Sequence, residues 1–72
     1  MDQEFILISH DDDGKIDGAV FFRAPSNDGY KAGSSRALIA GAKQFQVYRL
    51  QKDSDGNLTF SRVEKNSGKA SG

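Results

Sequence analysis

The sequence predicts an α+β fold of order ββαββ, a two-layer sandwich in which a four-stranded antiparallel sheet packs on one helix. Two stretches share one layout: a hydrophobic strand, an acidic glycine-containing turn and a second strand. Between them lies a run whose apolar residues recur at helical spacing. Together these observations place a single helix between two hairpins, as the only cover for a small sheet.

Phe5-Ile6-Leu7-Ile8 is a short apolar run, too brief for a helix and followed at once by turn chemistry, so it reads as the first strand. Asp11-Asp12-Asp13-Gly14-Lys15 supplies the turn, with Gly14 suited to positive φ. Ile16 to Arg23 is the second strand. Strict alternation sends Ile16, Gly18, Val20 and Phe22 to one face, and Asp17, Ala19, Phe21 and Arg23 to the other. Pro25 cannot donate to a ladder, so this strand stops there and Pro25-Ser26-Asn27-Asp28-Gly29 is a loop. Tyr30 to Gly33 leads into the helix.

The helix is predicted over Ser34 to Phe45, with Ser34 or Ser35 as its N-cap. Leu38, Ala42 and Phe45 form its buried arc beside Ala37 and Gly41, with Leu38 and Phe45 as anchors. Arg36, Ala40 and Lys43 face water. Gly41, inside this helix, costs about 1 kcal/mol relative to Ala, and close packing on the sheet is the expected compensation. Gln46 to Leu50 then reads as the third strand, Asp53-Ser54-Asp55-Gly56-Asn57 as a turn and Leu58 to Val63 as the fourth strand. The domain is assigned to residues 1–65. Residues 66–72 hold no apolar side chain larger than alanine and are expected to be a disordered tail. The likeness of the two hairpins reflects one solution to one turn problem and does not establish a duplication.

Composition removes several classes of function. The 72 residues make one domain near the lower limit for an unassisted core. No cysteine is present, which excludes disulfides, thiolate metal sites and a thiol nucleophile. Ten basic side chains balance ten acidic ones, where a dedicated nucleic-acid binder is usually basic. No apolar run approaches the ~20 residues of a membrane span, and Met-Asp-Gln-Glu is acidic where a signal peptide is basic. A cytoplasmic protein with no membrane partner is the expectation.

The candidate chemistry fails on spacing. Aligned to a calcium loop, Ser9, Asp11, Asp13 and Gly14 fall at positions 1, 3, 5 and 6, but position 12, which needs a bidentate Glu, is Val20. The second loop puts Arg62 there. Ser9-His10-Asp11 holds the residue types of a hydrolase triad in consecutive positions, and consecutive strand residues point to opposite faces. Gly29, Gly33 and Gly41 match neither phosphate-binding glycine pattern. The paired carboxylates lie only in turns. The reading is therefore a non-enzymatic protein with no catalytic residues, no cofactor and no metal.

What remains is contact. The open face of such a sheet would carry one of Phe21 and Phe22, and Tyr48, with arginines at its rim. Phe21, Arg23, Tyr48, Arg49 and Arg62 are the predicted partner-binding residues, and the expected partner is a protein. A homodimer through an edge strand is the expected self-association. Accessory or inhibitor proteins of phages and mobile elements, which block a host or defence complex, are the expected functional class. The alternative is single-stranded nucleic acid stacked on the aromatics, with Arg23, Lys31, Arg36, Lys43, Arg49 and Arg62 nearby.

Overall fold

Strand β1 (Asp2–His10) runs through the interior of the sheet, with β2 (Ile16–Pro25) on one side and β3 (Gln44–Lys52) on the other, and β4 (Leu58–Val63) beyond β3. All three pairings are antiparallel and the order is β2-β1-β3-β4. This computed structural model describes residues 1–65, and the predicted tail lies outside the described residues. The predicted α+β class and element order hold. Since β2 and β3 are both antiparallel to β1, they run parallel to each other. The connection between them, through helix α1 (Gly29–Ala40), crosses β1.

The two hairpin turns are built alike. In the first, the N–H groups of Asp13 and Lys15 both donate to Asp11 Oδ1 at 2.9 Å, and Gly14 takes φ +83°. In the second, Asp55 and Asn57 donate to Asp53 Oδ1 at 2.9 and 2.8 Å. The leading aspartate of each turn thus satisfies backbone donors that the ladder leaves free, the Asx pattern that favours Asp at this position.

The helix departs from its predicted bounds. It begins at Gly29, directly after a 3-10 turn over Ser26–Asp28, and ends at Ala40. No side chain caps its N-terminus, so neither Ser34 nor Ser35 does so. Gly41 lies outside it as the left-handed residue that ends it, with φ +75°. The N–H groups of Gly41 and Ala42 donate to the carbonyls of Leu38 and Ala37, which closes the last turn as a Schellman motif. Phe45 therefore belongs to β3. A Cβ at Gly41 would meet nothing within 4 Å, so backbone conformation, not close packing, requires glycine there.

The buried arc is also different. Gly29, Gly33 and Ala37 face the sheet, at i, i+4 and i+8, while the predicted anchor Leu38 is 82% exposed. Volume explains the exchange. The sheet contributes Phe5, Leu7, Phe22 and Val47 to the core, and these large side chains fill the space between the layers. The helix answers with glycine and alanine, and its backbone lies almost on the rings. Phe5 stacks on Phe22 with centroids 5.5 Å apart, and the Arg36 guanidinium covers the Phe22 ring at 4.7 Å. Leu38→Ser is accordingly expected to change stability by no more than about 0.5 kcal/mol, as for surface positions generally. A melting curve that falls by ten degrees or so would return Leu38 to the core.

Candidate functional site

The face of the sheet away from α1 is set by register. Phe5 and Leu7 point to the helix, so Glu4, Ile6 and Ile8 point away. Across the strands, Phe21, Ile6, Tyr48 and Arg62 stand in one row. Arg23, Glu4, Leu50 and Phe60 form the next. The centre of the first row is apolar, with Ile6 buried between Phe21 and Tyr48 in the pairing. Phe21 is 69% exposed and Phe60 51%, and Tyr48 meets Phe60 edge-on at 6.4 Å. The Tyr48 hydroxyl donates to Gln46 Oε1 at 2.9 Å, which holds the ring in place.

An arginine stands at each edge of this patch, and each is paired. Arg23 Nη2 lies 3.3 Å from Glu4 Oε2, and Arg62 Nε lies 3.1 Å from Glu64 Oε2. Exposed pairs of this kind contribute about 0–1 kcal/mol. Their consequence here is a rim close to electrical neutrality.

Four of the five predicted contact residues share this surface: Phe21, Arg23, Tyr48 and Arg62. Arg49 does not join them. It pairs with Phe5 and Ser61 and so points to the helix side. Ile6, Leu50 and Phe60 belong to the patch and are absent from the predicted set. Phe60 and Leu50 were accessible through the second hairpin, because the symmetric Asp53–Asn57 turn sets Leu50 opposite Phe60 and Tyr48 opposite Arg62.

The polar residues weighed as chemistry are dispersed. Ser9 Oγ donates to Asp17 Oδ1 at 2.7 Å, His10 stands on the opposite face, and Asp11 Oδ1 is occupied by turn N–H groups. Ser9, His10 and Asp11 therefore do not converge on one point. No group of three metal-ligating side chains occurs among the described residues, and no helix among them is long and apolar enough to cross a membrane. The outer side of α1 exposes two adjacent apolar side chains, Leu38 and Ile39. The chain matches no protein-family model, no curated protein and no solved structure.

Proposed function

We propose that the protein is a non-enzymatic binding module that docks a protein partner on the open face of its sheet. The observation that carries this reading is the row Phe21–Ile6–Tyr48 with Leu50 and Phe60 beside it, an apolar centre rimmed by Arg23 and Arg62. Aromatic side chains held on rigid strands and bordered by arginine are the composition of interface hot spots. The neutral rim favours a protein over single-stranded nucleic acid, which calls for unpaired cations along a groove. Arg23 and Arg62 are both paired with glutamate, and Arg49 lies on the other side of the sheet. The mode of action is steric: occlusion of a host or defence complex in the cytoplasm, as phage-type accessory or inhibitor proteins do. The free edges of β2 and β4 offer a second copy a route to a homodimer.

Phe21→Ala tests the reading. It is expected to leave the melting temperature within a few degrees of the parent, because the ring is mostly solvated. Partner affinity is expected to fall by about 30-fold, the ~2 kcal/mol of a hot-spot aromatic. The assay is capture from lysate of the source by the tagged chain, in nuclease-treated and untreated halves, with Leu38→Ser as the control from the helix side. A stoichiometric protein band that survives nuclease, persists with Leu38→Ser and disappears with Phe21→Ala is the expected result. Bands that vanish with nuclease would transfer the face to nucleic acid, and a band indifferent to Phe21→Ala would move the contact elsewhere.

A further inference from the structure

We infer that a second site, for a small oxyanion, lies on the helix side of the sheet and is built around Arg49. Helix α1 packs across β1, β2 and β3 and leaves the inner side of β4 exposed. Between that strand and the 3-10 turn is a cleft of about 310 Å³. Ser26 and Asn27 border it on one side, Ser61, Arg62 and Val63 on the other, with Phe5 and Arg49 between them.

Arg49 is out of keeping with its position. Its neighbour on the same face, Val47, is fully buried, and an inward-facing cation on an interior strand is the kind of exception that needs a cause. An arginine can lie along an apolar surface with its head in water, which would account for the stem. It does not account for Nε, which is buried and has no hydrogen-bond partner among the described residues. No carboxylate lines the cleft; of its two arginines Arg62 is paired with Glu64, and Arg49 takes part in neither ion pair among the described residues. Ser26, Asn27 and Ser61, which also line it, carry side chains able to donate hydrogen bonds.

A guanidinium among hydroxyl and amide donors, without a carboxylate, is a site for a carboxylate or a phosphate. The planar fork of arginine takes such groups through two parallel hydrogen bonds; the buried Nε reaches an oxyanion only once the guanidinium has turned toward the cleft, and that bond would satisfy the orphaned donor. Phe5 and Val63 add an apolar wall that suits a short carbon chain. The volume stands at the small end of ligand clefts, which suits a small molecule better than an extended one. The cleft opens on the opposite side of the sheet from the proposed partner surface, and Arg62 on the edge strand is the one lining residue it shares with the rim of that surface.

The test is a titration of the ¹⁵N-labelled chain with sodium propionate and, separately, inorganic phosphate, at ionic strength held constant with sodium chloride. The expected result is a saturable shift of the Arg49 Nε–H signal with the amides of Ser26, Asn27 and Ser61, and the anion that saturates identifies the oxyanion class. Arg49→Lys keeps the charge and removes the fork, so affinity is expected to drop about tenfold or more, as for loss of a charge-assisted hydrogen bond. Arg49→Met keeps an apolar stem, preserves folding and abolishes the shift. If Arg49→Met fails to fold, Arg49→Lys decides alone. A drift that never saturates, a response shared by Arg23 and Arg36, or full affinity in Arg49→Lys would overturn the site.

Discussion

Phe5→Ala is expected to leave the chain unfolded at 37 °C, seen as loss of the cooperative melting transition. Phe5 is 1% exposed and stacked on Phe22, and the helix backbone at Gly29 lies directly against its ring. Removing a buried Phe side chain costs about 3–5 kcal/mol. A core in a domain this small supplies only about 3–5 kcal/mol of net stability. The loss therefore equals the whole margin. The matched control is Phe60→Ala, on the other face and half exposed, which is expected to melt within a few degrees of the parent. A Phe5→Ala chain that still melts cooperatively, less than about 8 °C below the parent, would have lost little more than 1 kcal/mol, and the core would have to be centred elsewhere.

Gly33→Ala should destabilise the protein, although the same change in an ordinary helix interior stabilises by about 1 kcal/mol. A Cβ at Gly33 would stand 2.5 Å from Val47 Cγ2 and 3.2 Å from Phe22 Cζ, and both belong to the packed core. Val47 is β-branched and completely buried, so it cannot rotate away without moving the strand. Overpacking of this kind costs about 1–3 kcal/mol, which lowers the melting temperature by several degrees for each kcal/mol. The decisive comparison is made in a Val47→Ala background. There the severe contact with Val47 is gone and only the tight approach to Phe22 Cζ is left, so Gly33→Ala is expected to be neutral or stabilising by up to about 1 kcal/mol. A sign that does not change between the two backgrounds would show that the glycine is not held by its contact with Val47.

The strands and turns were legible in the sequence because their causes are local. Strand β4 begins and ends where its alternation and its turn place it, at Leu58 and Val63. Both turns carry Asp at the position whose carboxylate gathers backbone N–H groups, with glycine in the left-handed conformation three residues later. The helix lies earlier in the chain than its apolar period indicates, for a physical reason. Propensity disfavours Gly29 and Gly33 as helix formers, but they are helical because nothing larger fits between this backbone and Phe5 or Val47. The apolar period of Leu38, Ala42 and Phe45 spans a helix end and a strand, and only the left-handed Gly41 separates them.

The candidate surface depends on a detail of the same kind. Phe21 and Phe22 are adjacent strand residues, so one must enter the core and the other must face solvent. The first hairpin closes with His10 opposite Ile16, but the register then shifts, with Ser9 opposite Gly18 and Asp17 left over as a bulge. The shift also separates Ile16 from Gly18, Val20 and Phe22, with which strict alternation groups it. Without it, Phe21 would stand opposite Phe5 and turn inward, since a slip of one residue reverses every side chain. The Ser9 hydroxyl, donating to Asp17, holds the bulge where it is. Local chemistry in the chain was enough to set the class, the strands, the turns and the presence of one aromatic on an open face. Which aromatic that is, and where the helix lies, follow from a bulge and from the close approach of two glycines to the sheet, both set by contacts between residues distant in the chain.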